Sequence, residues 1–336
     1  MKKFVGLLVG AIFLAGILIG CSSESGESDT DNSGQSGVAE SGVPSEITFG
    51  SATQGGFWYT LSGAMSDKMG EIFPDSSTTI VEGGSISNLL GLGQGKYHIG
   101  FSNGQTVPEA LNGENAFDEP IKNVSTIATL YPNVFHIAVR ADSDIYSVED
   151  LKGKTVSPGI KGYSGELAFQ DVLELNDMSY DDLEGIEYVG TSDGADLLRD
   201  GHIDAIAGML SAPVAVYQEL DTTLGIRIIP LKQETVDSLH EQNEGYLKHT
   251  IPAGTYPNQS EDILTTAGYT VLLANNDLMS KDAVYKLTKM IFEQKEDWAN
   301  ISSVMSDFNA EYSVKNSVGE FHPGAEEYYK EIGALE

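Results

Sequence analysis

The sequence predicts an α/β protein of two lobes joined by two crossing strands. Strand-like apolar runs alternate with helix-like stripes along the chain. The alternation restarts near Asp150, and each block holds a Gly-rich strand-to-helix turn. Length agrees, since the roughly 290 residues beyond the N-terminal segment are too many for one small core.

The N-terminus is a targeting segment. Lys2 and Lys3 precede an uncharged apolar stretch from Phe4 to Ile19. This has the n-region and h-region of a secretory signal and is short for a membrane span. It ends in Gly20-Cys21, and the small residue before a cysteine resembles the lipobox of bacterial lipoproteins. The resemblance implies removal of residues 1–20 and a diacylglyceryl thioether on Cys21. A cleaved signal with an incidental cysteine, or an uncleaved anchor helix, is the alternative. Two or more acyl chains anchor a protein stably where one is marginal. Cys21 is the sole cysteine, so an intrachain disulfide and a Cys-rich metal site are excluded. Residues 21–46 are Ser-, Gly- and acid-rich with little to bury, and are expected to form a disordered tether.

The elements follow in order. Ile47–Phe49 is a short strand. Trp58, Leu61, Met65, Met69 and Ile72 recur at helical spacing, and Phe73-Pro74 ends that helix. Thr78–Val81 is a strand, after which Gly83-Gly84-Ser85 opens a helix with Ile86, Leu89 and Leu90 inward. The glycines from Gly91 to Gly95 stop it. Tyr97–Phe101, Ser125–Thr129 and Val134–Val139 are strands. Asp150 to Val156 turns into a further strand, and Gly159–Gly165 is a glycine-rich loop. Glu166–Leu175 is helical, with Ala168, Val172 and Leu175 on one face. Ile186–Val189, Ile203–Ala207, Ile226–Ile229 and Tyr269–Ala274 are strands. Val284, Leu287, Ile291 and Trp298 mark one long helix. With crossings at Val134–Val139 and Tyr269–Ala274, lobe 1 takes residues 47–135 and 275–336, and lobe 2 takes 136–274.

Composition removes several function classes. Nineteen basic residues stand against 50 acidic ones, a net charge of −31, so no basic stripe is available for nucleic acid. No Gly-x-Ser-x-Gly, Walker or His-Glu-x-x-His pattern occurs. The six histidines are scattered, and His322 reads as structural. No enzyme activity, cofactor or metal is expected. What recurs is a glycine-led helix start: Gly55-Gly56, Gly83-Gly84-Ser85 and Gly162-Tyr163-Ser164-Gly165. A helix N-terminus offers unpaired N–H donors and partial positive charge, which suits a carboxylate or phosphate. Arg140, Arg199 and Arg227 are the only arginines, and Arg140 reads as structural. Lys161 is therefore the expected charge partner of an anionic solute.

Several segments, in shared order, resemble the TAXI-type solute-binding proteins of tripartite ATP-independent periplasmic (TRAP) transporters. These are Phe49-Gly50 through Gly55-Gly56 with Trp58-Tyr59, Gly83-Gly84-Ser85-x-x-Asn88-Leu89, Asp150-Leu151-Lys152-Gly153-Lys154-x-Val156, Gly201-His202-Ile203-Asp204-Ala205, and His322-Pro323-Gly324-Ala325 with Tyr328-Tyr329. The likeness runs from about Ile47 to the C-terminus. It implies a type II periplasmic-binding fold and a small solute between the lobes, often glutamate or a related dicarboxylate. It also implies delivery to TRAP membrane permease subunits at the extracytoplasmic face of the cell membrane. Phe57, Trp58, Asn103 and Glu166 depart from the family pattern.

On this reading Tyr59, Ser85, Asn88, Asn103, Tyr131, Tyr163 and Ser164 hydrogen-bond an anionic or zwitterionic solute. Backbone N–H groups near Gly84–Ser85 or Ser164–Gly165 take its carboxylate, and Gly56 keeps the first helix start open. Phe57 and Trp58 wall the cleft or pack the first turn, Tyr131 binds solute or packs a hinge, and Met209 completes the ligand-binding set. A sensor subunit that binds the same solute and signals to a membrane histidine kinase is the alternative.

Overall fold

The computed structural model describes residues 43–336 apart from Thr53 and Gly55. The signal segment, Cys21 and most of the expected tether lie outside the described residues.

The chain begins with β1 (Glu46–Gly50), α1 (Phe57–Ile72), β2 (Ser77–Val81), α2 (Ser85–Gly93), β3 (Ile99–Asn103), α3 (Thr106–Asn112) and the long β4 (Val124–Arg140). It continues with β5 (Thr155–Ser157), α4 (Ser164–Glu174), β6 (Gly185–Ile186), α5 (Thr191–Asp200), β7 (Ala205–Leu210), α6 (Ala215–Thr223) and β8 (Ile226–Ile228). Then come α7 (Gln233–Gln242), β9 (Leu247–Ile251), β10 (Ile263–Asn275), α8 (Lys281–Glu293), α9 (Lys295–Ile301), α10 (Ala310–Lys315) and α11 (Pro323–Glu331).

Two lobes share two strands. In lobe 1 the neighbours run β2-β1-β3-β10-β4, and in lobe 2 they run β6-β5-β7-β4-β8. Each lobe therefore repeats one plan: three parallel strands, then an antiparallel strand arriving from the other lobe, then a final edge strand. Parallel neighbours require crossover connections, which the intervening helices supply.

Strand periodicity explains why helices cover both faces. Leu272 of β10 packs with Phe49, Leu61, Met65 and Leu287, whereas its neighbours Val271 and Leu273 pack with Leu89, Leu92 and Val107 on the other face. In lobe 2, Ile137 and Val139 of β4 meet Phe169 and Val172, while Val134 and Ala138 meet Leu198 and Tyr217. Burying each such side chain stabilises by about 1.5–3 kcal/mol.

Four expectations are corrected. Ser125–Thr129 and Val134–Val139 are one strand, because the ladder with β10 continues past Pro132. The missing proline N–H is accommodated at a register shift between Tyr269 and Val271 on the partner. The long helix through Trp298 is two helices that meet at Gln294, and the Trp298 indole N–H donates to the Ile291 carbonyl (2.7 Å). The folded body begins by Val43, which is buried among lobe 1 residues, so the tether does not extend to residue 46. The strand expected over Ile186–Val189 is only Gly185–Ile186, since β5 offers it a short partner. His322 is structural, as expected: it caps α11 by accepting from the Gly324 N–H (3.1 Å).

One buried histidine lies in the shared strand. His136 of β4 is fully buried, with Nδ1 donating to the Val134 carbonyl (2.8 Å) and Nε2 accepting from the Tyr256 hydroxyl (2.8 Å). Burial pushes its pKa down to about 4 from 6.5. Between those values the unfolded chain binds a proton that the folded chain refuses. The contribution is therefore complete above pH 6.5 and is lost as pH falls toward 4, by up to about 1.4 kcal/mol per pH unit. A ring titration by NMR should show His136 neutral down to about pH 5; protonation near the ordinary 6.5 would contradict the burial argument. A second prediction concerns helix packing. A Cβ on Gly324 would lie 2.2 Å from the Lys281 carbonyl oxygen and 2.7 Å from the Tyr285 nitrogen, both backbone atoms of α8. Gly324→Ala should cost about 1–3 kcal/mol, read as a lower denaturant midpoint.

Candidate ligand-binding site

A cavity of ≈ 450 Å³ opens between the lobes. Lobe 1 supplies Gly56, Phe57, Trp58, Gly84, Ser85 and Asn103, with Tyr131 and Asn133 from β4. Lobe 2 supplies the Pro158–Ile160 turn, Tyr163 to Glu166, Gly190 to Asp193, and Ala207 to Ser211.

The starts of α1, α2, α4 and α5 all border this space, at Gly56, Gly84, Tyr163 and Gly190. At none of the four does an N-cap side chain bond the first-turn N–H groups. Such starts leave donors free and carry roughly half a positive charge each. The starts of α2 and α4 face each other closely, for a Cβ on Gly84 would lie 3.3 Å from the Tyr163 ring. Among the described residues, the cavity lining holds no lysine or arginine, and its charged members are Glu166 and Asp193.

A buried polar network spans the lobes beside these helix starts. Ser85 Oγ donates to Ser164 Oγ (3.2 Å), and Asn103 Nδ2 donates to the same oxygen (2.5 Å). The Asn103 N–H donates to Ser85 Oγ (3.1 Å). Asn133 Nδ2 donates to Asn103 Oδ1 (2.6 Å) and to Thr270 Oγ1 (2.7 Å), which also accepts from the Trp58 indole (3.0 Å). The Tyr131 ring packs on Phe57, with centroids 5.3 Å apart, and burial pushes its phenol pKa up, so it stays a neutral donor.

Glu166 borders the cavity with its carboxyl group tied into hydrogen bonds. It is 2% exposed, and its two oxygens accept from the Gly162 N–H, Gln170 Nε2 and the Tyr180 hydroxyl. These donors come from its own loop, its own helix and the turn that follows that helix. Asp193, in the first turn of α5, is exposed.

Ten of the thirteen expected residues come together here: Gly56, Phe57, Gly84, Ser85, Asn103, Tyr131, Tyr163, Ser164, Gly165 and Met209. Three do not. Tyr59 is off the cavity wall, because 100° of helix rotation per residue turns it away from the face that Phe57 and Trp58 present. Asn88 is fully buried and knits the sheet, donating to the Ser51 and Phe101 carbonyls (2.8 Å each). Lys161 is exposed and lies over the Tyr188 ring (5.4 Å), one residue before the left-handed turn at Gly162, φ +78°. Phe57 and Trp58 satisfy both of their readings, since they wall the cavity and pack against the lobe 1 core. Arg140 pairs with Asp142 at the surface.

Sequence reasoning missed Asn133 and the α5 start. Gly190-Thr191-Ser192 carried the same glycine-led signal as the other three starts and precedes an inward Ala195 and Leu198. Asn133 carried no local signal, because its partners are 30 and 137 residues away.

A family model described as the NMT1-like family matches residues 49–333. The chain belongs to the NMT1-like family. Several solved structures are similar to it. A protein from Bordetella bronchiseptica is 16% identical with a TM-score of 0.50, covering 86% of this chain and 81% of that one. The alkanesulfonate-binding protein SsuA from Xanthomonas axonopodis pv. citri, bound to MOPS, is 15% identical with a TM-score of 0.49, over 88% and 85% of the two chains. The probable amino-acid ABC transporter extracellular-binding protein ytmK of Bacillus subtilis is 17% identical with a TM-score of 0.43, over 77% and 95%. The NMT1-like chain has the type II periplasmic-binding-protein fold. Among its described residues, no group of His, Cys, Asp and Glu is arranged to hold a metal ion.

The polar network should be energetically visible. Asn133→Leu strips one donor from Asn103 and one from Thr270, leaving a buried acceptor unpaired. A loss of about 1–3 kcal/mol is expected, seen as a shifted urea midpoint with an unchanged slope.

Proposed function

We propose that this chain is the extracytoplasmic receptor of a TRAP-type transporter. It captures a small carboxylate solute, glutamate or a related amino acid or dicarboxylate, between its lobes and delivers it to membrane permease subunits. The observation that carries this reading is the convergence of four uncapped helix starts on one interlobe cavity. An acid group seated there meets backbone N–H donors, the Ser85 and Ser164 hydroxyls and the Asn103 amide, in a water-depleted space where such bonds strengthen. The aromatic wall of Phe57, Trp58 and Tyr163 packs the solute's carbon skeleton. Ser164 is bonded to both Ser85 and Asn103 of the opposite lobe, so solute binding at these groups favours the closed arrangement through its differential affinity. Family membership supports the reading, as do the shared segments that resemble the TAXI proteins. Anchoring through a lipid on Cys21 is part of the same proposal.

Thermal-shift screening against amino acids and dicarboxylates tests it. A true solute at one hundred times its dissociation constant should stabilise the fold by about 2.7 kcal/mol. If no small acid or amino acid raises the melting temperature, the proposed solute class is wrong. For the solute found, Ser164→Ala should weaken binding by roughly 1.5–3 kcal/mol, the worth of one hydrogen bond to a charged group. Unchanged affinity by calorimetry would remove Ser164 from the site.

A further inference from the structure

The lobes also meet outside the cavity, along a seam between α3 and the loop after α7. Asn243 of lobe 2 reaches across to lobe 1, where its Nδ2 donates to the Gln105 carbonyl (2.8 Å) and to Glu109 Oε1 (3.4 Å). The backbones are close there, since a Cβ on Gly245 would lie 2.4 Å from Gln105 Cα. Glu109 is 7% exposed, and its Oε2 has no partner among the described residues. Also facing it are Glu114 and Asn115 from its own lobe, and Asp171 and Tyr246 from lobe 2. The Tyr246 hydroxyl donates to Asp171 Oδ2 (2.6 Å), and Glu174 stands near Asp171. Neither Glu109 nor Asp171 forms an ion pair among the described residues.

This seam brings two carboxylates from opposite lobes together with no cation between them. An ionised carboxylate left half-bonded in such a place is costly, and a second one nearby raises the cost. Adding a proton to Glu109 removes both penalties, because the neutral acid neither repels Asp171 nor needs a full set of donors. We propose that Glu109 is a proton-binding latch between the lobes, ionised when they part and protonated when they meet.

The direction of its titration agrees. Burial, first, and the charges of Asp171 and Glu114 push Glu109 up to about 7 from 4.5, against the nearby Asn115 and Asn243 amides, which lower it. Opening withdraws Asn243, Asp171 and Tyr246 and returns the group toward its ordinary value. A group at about 7 when closed and 4.5 when open takes up a proton on closing. The closed-to-open ratio then rises about thirtyfold between about pH 8.5 and 5.5. The latch presupposes the lobe closure of the proposed function and requires no particular solute.

The test reads the lobes directly, without solute. In the full chain carrying Cys21→Ser, spin labels at Lys96→Cys and Glu184→Cys, both exposed and one in each lobe, report the interlobe distance. The short-distance population should grow as pH falls from about 8.5 to 5.5, approaching the thirtyfold linkage. Glu109→Gln, a neutral isostere, should hold that population high at both ends of the range. Asp171→Asn should raise it at the alkaline end only. A pH response that persists unchanged in Glu109→Gln would overturn the latch. So would a wild-type Glu109 carboxyl that titrates at its ordinary value in a carbon-13 NMR titration of the closed protein, a measurement that needs no variant to fold. Absence of any solute in the binding screen leaves these readouts intact, so the two proposals fail separately.

Discussion

The antiparallel pairing of β4 with β10 carries both lobes, because each strand belongs to the sheet of each. Val124 to Val134 of β4 lies against Ala267 to Asn275 of β10. Beyond that span β4 continues to β7 and β8, and β10 pairs with β9. Both strands are buried on both faces over most of their length, and their apolar residues are interleaved with buried threonines, Asn133 and His136. Their least regular stretch, around Pro132 and Tyr269, lies where one lobe gives way to the other. Bulged positions bend and twist strands more readily than regular ladder does. The geometry of the cleft therefore follows from a few backbone bonds in two strands.

Given that frame, the repeated strand plan has a direct chemical result. In each lobe the helices following the parallel strands begin at the same edge of the sheet, and those edges face each other. Backbone dipoles thus arrive at the cleft from both sides, and no basic side chain lines it among the described residues. The serine and asparagine network of Ser85, Asn103, Asn133 and Ser164 holds these helix starts in register. Each of its buried polar atoms is costly unless partnered, so the network also penalises misaligned lobes.

Periodic features were legible in the sequence. The Trp58-to-Met69 stripe, the glycine-led helix starts and the apolar crossing strands all declare themselves within a dozen residues. Two expectations failed where a local signal was overridden by a distant one. Ser125–Thr129 and Val134–Val139 read as separate strands, yet pairing of Pro132 with Tyr269, 137 residues on, keeps the strand whole. Trp298 continues the α8 spacing, yet the chain turns at Gln294 and the indole folds back onto Ile291. At the site, the order of Phe57-Trp58-Tyr59 showed that aromatic rings would begin a helix. Which ring faces the cavity depended on helix phase, and that is set by the packing of Trp58 on Phe101, 43 residues away in sequence. Lys161 attracted notice as a charge, whereas its side chain lies exposed over the Tyr188 ring, away from the cavity lining.

The cavity without a cation sits in a chain of net charge −31, and this bears on how fast a solute is caught. An anion approaching such a surface climbs a repulsive potential before it reaches the helix starts, whose attraction fades within a turn or so. For an anionic solute of the proposed kind, capture would be slow to begin. Added salt screens the long-range repulsion far more than the short-range, desolvated contacts inside. Association would quicken with ionic strength while the bound complex is little loosened, the reverse of the usual behaviour of a receptor that steers its ligand by opposite charge.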